Sequence, residues 1–164
     1  MILAVDVDYR TVGAVAAGVL FAQWADSKPL NELRVPVSQV EAYKPGEFYK
    51  RELPCIMSIL NTFTTLPEFM IIDGHVYLDR DGKGGLGKHL FDAIGRKSVV
   101  IGVAKSRFKD TPKEAELFRA GSRRALYVTA AGTDISTAKQ NISQMHGPYR
   151  LPTLLKHVDR LSRG

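Results

Sequence analysis

The chain has 164 residues, 45% hydrophobic and 24% charged, which suits one ordinary domain with a sizeable core and excludes an intrinsically disordered polymer. A single cysteine, Cys55, excludes internal disulfides and thiolate metal clusters and points to a reducing, cytoplasmic compartment. The net charge of +6 favours an acidic partner over an acidic surface.

Ile2–Tyr9 is rich in β-formers and predicts a first strand. Asp6 and Asp8 interrupt its apolar start, so it does not read as a secretory signal. Thr11–Phe21 is small and apolar, and the apolar run around it falls short of the roughly 20 residues needed to cross a bilayer. Leu33–Val40 alternates, and these three segments predict an antiparallel meander. Leu53, Ile56, Met57, Leu60 and Phe63 recur at helical spacing. Pro54 belongs in a first turn, so that helix is expected to start near Glu52. Phe69–Ile72 predicts a short strand, Asp81–Gly87 a glycine-rich loop without a phosphate-loop signature, and Leu86–Ile94 a second helix closed by Gly95. Ser98–Ala104 is a nearly continuous apolar strand, and Leu126–Val128 suggests another. Two helices follow, the first capped by Asp134, the second docked through Leu151, Leu154, Leu155, Val158 and Leu161.

The order β-β-β-α-β-α-β with trailing helices predicts an α/β fold of RNase H-like type. Its mixed sheet holds three antiparallel strands and then two parallel strands, flanked by helices, in one domain spanning 1–164. In that topology the first and fourth strands are neighbours, so Asp6 and Asp73 face each other.

Asp6 lies inside an apolar strand, where an unpaired charge is costly. Asp73 closes a parallel strand, at the end where α/β sheets bind ligands. Glu52 stands at a helix start. Each has a plain alternative: a solvent-facing strand aspartate, or a helix acid favouring the macrodipole. Together the three repel unless a cation lies between them, and their oxygen ligands suit Mg²⁺, with Mn²⁺ as the alternative. Lys105 ends the next strand, placed to stabilise an oxyanion or orient water. Asp8 shares the strand face of Asp6 and reads as a turn cap or an outer acidic partner. Lys105, Arg107, Lys109, Lys113, Arg119, Arg123 and Arg124 form a basic stretch suited to a phosphodiester or to a solvated surface.

Several runs occur in one order: Ala4-Val5-Asp6-Val7-Asp8-Tyr9, Tyr43-Lys44-Pro45-Gly46, Arg51-Glu52, Asp73-Gly74-His75, Gly102-Val103-Ala104-Lys105-Ser106, then Tyr149-Arg150-Leu151-Pro152 and Asp159-Arg160. Together they resemble the endonuclease V family, metal-dependent nucleases of deoxyinosine repair, of which this would be a short, divergent member. The resemblance implies a Mg²⁺ site of Asp6, Glu52 and Asp73 with Lys105 as the catalytic lysine. It assigns nucleic-acid contacts to Tyr43, Pro45, Gly46, His75, Ser106 and Arg107, with Tyr43 and Pro45 in a strand-separating wedge. The implied reaction is hydrolysis at the second phosphodiester 3′ of inosine, in DNA or RNA, leaving a 3′-hydroxyl and a 5′-phosphate. His89 matches a family histidine, with a satisfied core histidine as the alternative. Ala131-Gly132-Thr133-Asp134 stands where the family has Pro-Gly-His, leaving Asp134 as a helix cap or a substitute ligand. Val76 replaces a glycine and predicts a side chain close to a bound base. Those two departures motivate two rivals: a nuclease of the same fold with another lesion or structure specificity, and a catalytically impaired nucleic-acid-binding protein.

Overall fold

The computed structural model describes all 164 residues. Seven strands, β1 (Ile2–Tyr9), β2 (Ala14–Phe21), β3 (Asn31–Val37), β4 (Phe69–Asp73), β5 (Val99–Ala104), β6 (Glu116–Leu117) and β7 (Leu126–Ala131), form one sheet in the order β3-β2-β1-β4-β5-β7-β6. The first three make the expected antiparallel meander. β4 and β5 join parallel to β1, and β7 returns antiparallel to β5. This is the RNase H-like mixed sheet, extended by a short β6–β7 hairpin.

Helices α1 (Phe48–Leu60) and α2 (Leu86–Ala93) cover one face, and α3 (Ile135–Gln144) and α4 (Thr153–Arg163) the other. Strand side chains divide between them by period two. Leu3, Val5, Val7, Met70 and Ile72 enter the α1/α2 core, while Ile2, Ala4, Ile71, Ile101 and Val103 enter the α3/α4 core. Covering both faces buries the central strands almost throughout, which explains their continuous apolar runs. β3 lies at the sheet edge, alternates half-buried with exposed residues, and tolerates Pro36 there. No helix is long and apolar enough to cross a membrane.

Several boundaries differ from the sequence reading, and three have a clear physical cause. α1 begins at Phe48 rather than near Glu52, so Pro54 lies inside it. The upstream turn is anchored by tertiary contacts: Phe48 packs edge-on against Tyr9 at 6.2 Å and Tyr43 at 6.1 Å, and the Arg51 guanidinium lies 3.8 Å above the Tyr9 ring. These contacts offset the backbone bond that Pro54 cannot make. β3 ends at Val37 instead of Val40, where its pairing with β2 runs out at Ala14. β7 runs to Ala131, because pairing with β5 draws in Thr129, Ala130 and Ala131 despite the weak strand preference of alanine.

Because β1, β4 and β5 are parallel, their carboxyl ends share one rim. β1 runs past its last pair with β4, Val5 with Ile72, while still paired to β2. Asp6 therefore sits where β1 and β4 part, next to Asp73 at the end of β4.

The segment leaving Asp73 needs room. A Cβ on Gly102 would lie 2.5 Å from the Gly74 carbonyl oxygen and 2.9 Å from Thr129 Oγ1. One on Gly87 would lie 2.5 Å from Val76 Cγ2. Those glycines let residues 74–76 lie flat across the sheet end, where the Val76 amide donates to Thr129 Oγ1 at 2.8 Å. Gly102→Ala is expected to cost about 1–3 kcal/mol through overpacking against backbone. A lower urea midpoint at unchanged m-value is the expected measurement.

Candidate active site

The rim collects acidic side chains from both faces. Asp6 and Asp73 come from the α3/α4 face, and Glu52 from α1 on the other. Burial, then repulsion from Asp73, pushes the Asp6 carboxyl up to about 7, although Ser162 Oγ donates to Asp6 Oδ2 at 3.0 Å. Burial, then Asp73 and Asp6, pushes Glu52 up to about 8. Glu52 is 6% exposed, and its Oε2 has no hydrogen-bond partner. Asp73 stands half exposed at the mouth; burial raises it, and Lys105, with Nζ 4.0 Å from Asp73 Oδ2, opposes the rise. The four residues singled out from the sequence as catalytic thus meet at one place.

A fifth group joins them. Asp159 on α4 lines the same pocket as Asp6, Asp73 and Lys105 and adds repulsion to both aspartates. The sequence reading gave it no role, although a signal existed. Leu155, Val158, Asp159 and Ser162 share one helical stripe, so an acid and a serine continue the buried face of α4. Asp159 is held by Arg163 Nη2 at 3.1 Å.

No three of the Asp, Glu, His or Cys side chains converge closely enough to close a metal cage alone. The donor set still fits Mg²⁺, which takes one or two carboxylates and fills its remaining positions with water and phosphate oxygens. An orphaned, buried carboxylate oxygen on Glu52 beside two raised aspartates is an arrangement that a cation would relieve.

Beside the acids lies an aromatic cleft of about 330 Å³. Tyr43, Phe48, Tyr49, His75 and Phe108 line it with Gly46, Glu52 and Asp73. Tyr43 is 60% exposed. His75 Nε2 stands 3.2 Å from the Ser106 carbonyl oxygen, and burial lowers its pKa. A neutral ring donating from Nε2 leaves buried, unpartnered Nδ1 as an acceptor. Pro45 is exposed and lies outside this lining, while Ser106 and Arg107 line a separate basic groove with Lys105.

Val76 is fully buried in the α1/α2 core, so its side chain does not enter the cleft. The glycine replaced at that position therefore leaves the cleft open, contrary to the sequence reading. Asp134 caps α3, accepting from the Thr137 amide at 2.7 Å. It follows Ala131, which pairs with Val100 at the start of β5, so it sits at the opposite rim and cannot replace a ligand. Asp8 is neither turn cap nor site acid: it pairs with Arg10 Nε at 2.9 Å. His89 is half-buried and stacks at 3.6 Å on Tyr49, a residue lining the cleft, with no side-chain hydrogen bond, so it is not the satisfied core histidine of the alternative reading. Arg119, read with the phosphate-facing cations, is 6% exposed and donates to the carbonyls of Met145, Gly147, Tyr149 and Arg150.

Raised carboxyls make a stability prediction for chelated protein. The folded state binds more protons than the unfolded chain, so this contribution is fully present below about pH 4 and is lost as pH rises through 7 to 8. With EDTA, loss of this contribution should lower the melting temperature progressively between about pH 4 and pH 8, and Mg²⁺ should restore it at the higher pH. Calorimetry of wild type and of the Asp6→Asn/Glu52→Gln variant checks this; the variant should show a flatter profile.

The family model for endonuclease V matches residues 1–146. Human ENDOV superposes with a TM-score of 0.79 at 19% identity, covering 99% of this chain and 82% of that one. Endonuclease V of Ciona intestinalis, in complex with a 24mer DNA containing an inosine followed by a ribo-adenosine, gives 0.82 at 19% identity, covering 99% and 83%. The Streptomyces avermitilis endonuclease V gives 0.81 at 24% identity, covering 99% and 79%. Identities this low carry the fold alone. No curated protein matches the sequence. With its family match running through the sheet, the rim acids Asp6, Glu52 and Asp73, and Lys105, the chain belongs to the endonuclease V family of endonucleases.

Proposed function

We propose that the protein is a divalent-metal-dependent endonuclease that hydrolyses a phosphodiester 3′ of inosine in DNA or RNA, as a repair activity on deaminated adenine. The observation that carries the reading is the buried, unpartnered Glu52 oxygen beside Asp6 and Asp73, with Lys105 at the same rim.

Asp6, Glu52 and Asp73 would hold Mg²⁺ or Mn²⁺, with Asp159 as an additional acidic partner in place of the absent histidine. When bound, the ion lowers the pKa of a water ligand and neutralises developing phosphate charge. Lys105 keeps its ammonium beside Asp73, where it stabilises negative charge on a non-bridging phosphate oxygen and orients the attacking water. The apolar wall of Val5, Ile71, Val103, Leu151, Leu155 and Val158 limits water around these charges and strengthens their interactions. Tyr43, Phe48 and Phe108 offer faces for an unstacked base.

The open cleft supports inosine over a rival specificity, and Asp159 beside Asp6 supports an active site over a catalytically impaired one. Matched inosine and adenosine oligonucleotides in Mg²⁺ provide the test. Wild type should nick only the inosine strand, leaving a 3′-hydroxyl and a 5′-phosphate, and inosine-indifferent cutting would refute the specificity. Asp73→Ala should abolish cutting, and Lys105→Ala should lower kcat by roughly 10²–10³-fold.

Asp159 and Asp134 separate the two candidate replacements for the histidine. Asp159→Asn should lower kcat at least tenfold with folding intact. Asp134→Asn keeps a capping side chain and should leave activity unchanged, while Asp134→Ala should cost about 1 kcal/mol of stability. Single-turnover cleavage and thermal melts read these outcomes.

A further inference from the structure

Beyond the rim acids, lined by Lys105 and by residues that adjoin the aromatic cleft through Ser106, lies a groove of about 350 Å³. Its position follows from the topology. β7 runs antiparallel to β5, with Tyr127 opposite Ala104, so the turn joining β6 to β7 projects at the catalytic rim. That turn is built tightly: Ala120 and Gly121 adopt positive φ of 53° and 70°, and the Ser122 amide bonds the Arg119 carbonyl at 2.8 Å. Its root is fixed by the buried Arg119 guanidinium. Its tip presents Arg123 and Arg124 to solvent.

Most of the charge of this groove is uncompensated. Lys105, Arg107, Arg123, Arg124 and Arg150 line it against one acid, Glu116. None of the four arginines stands within 4.0 Å of a carboxylate. Arg107 and Arg150 spend part of their guanidinium on backbone carbonyls, whereas Arg123 and Arg124 make no side-chain hydrogen bond. In their midst Phe118 is 58% exposed, an aromatic face without an aromatic partner. Clustered free cations around an exposed ring are the composition of a single-strand nucleic-acid track: cations for phosphates, a ring for a base.

The three concavities adjoin one another. Asp73 borders both the aromatic cleft and the acid pocket, and Lys105 borders both the acid pocket and the groove. We propose that the groove beside Lys105 holds the strand on the 3′ side of the cut, with Arg123 and Arg124 on successive phosphates and Phe118 stacked on a base. The assignment of direction rests on the function proposed above, because it places the recognised base in the cleft and the scissile phosphate at the acids.

The test compares wild type with Arg123→Ala/Arg124→Ala and with Phe118→Ala. All three side chains are exposed, so melting temperatures should match. Inosine-containing single strands with a long 5′ flank carry either about two or about eight nucleotides beyond the cut. On the long-flank substrate at low salt, the double variant should raise KM roughly tenfold or more with kcat unchanged, and Phe118→Ala should raise it roughly tenfold. On the short-flank substrate, variants and wild type should coincide. Equal losses on both substrates, or none on the long one, would overturn the proposal. Binding of a plain fluorescent oligonucleotide, measured against salt, reads the groove independently of cleavage. The double variant should lower the log–log slope by about 1.4, the value for two single-strand phosphate contacts. An unchanged slope overturns the track; wild type that binds with the expected slope but cuts no inosine strand overturns only the reaction.

Discussion

Burial of carboxylates at the end of a parallel strand pair, sharpened by their mutual repulsion, is the constraint on which the candidate site depends. Asp6 and Asp73 are neighbours because β1 and β4 run parallel with Val5 opposite Ile72. Neither can move away without breaking that register, since a slip of one residue would turn every core side chain to the wrong face. Glu52 is pressed toward them from the other side of the sheet by an α1 whose Cys55, Ile56 and Ile59 are fully buried. Two apolar cores thus hold together a charge cluster that would disperse if free. Without a cation, burial and then mutual repulsion favour the protonated forms, pushing the Asp6 carboxyl up to about 7 and that of Glu52 up to about 8.

Arginine clamps carry the positioning into the loops. Arg119 gathers carbonyls from residues 145–150, the segment that leads into α4 and so determines where Asp159 and Ser162 lie. Arg150, on that segment, donates to the carbonyls of Lys105 and Ala125. Lys105, the β6–β7 turn and the start of α4 are therefore tied to one another through buried or half-buried guanidinium bonds. Guanidinium suits this task because it presents several fixed donors and keeps its charge. Some of the basic residues serve architecture, and the remainder stay free at the surface.

Substitutions that look disruptive in a linear reading are absorbed by direction. Val76 replaces a glycine yet points into the core, where Gly87 supplies the space it needs. Asp134 stays at the opposite rim, while a carboxylate from α4, Asp159, lines the pocket with Asp6 and Asp73. A site built from several elements can exchange donors between them as long as the same point in space is served.

The sequence by itself determined the antiparallel meander, the neighbouring parallel strands that set Asp6 beside Asp73, and the flanking helices, and it singled out Asp6, Glu52, Asp73 and Lys105, while the placing of β7 and β6 beyond β5 came only with the fold. Those signals are local: apolar runs mark the strands, and charged residues stand out where a buried strand ends. It also marked Asp134 as a cap, since capping involves residues only three apart. Tertiary structure alone decided the start of α1, which depends on Tyr9 and Tyr43 packing on Phe48. It alone brought Asp159 to Asp6 across most of the chain, buried Arg119 while leaving Arg123 and Arg124 free, and turned Val76 inward. The physical reason is that spacing along a chain reports which face of an element a residue occupies, whereas what that face meets is chosen only when the elements pack.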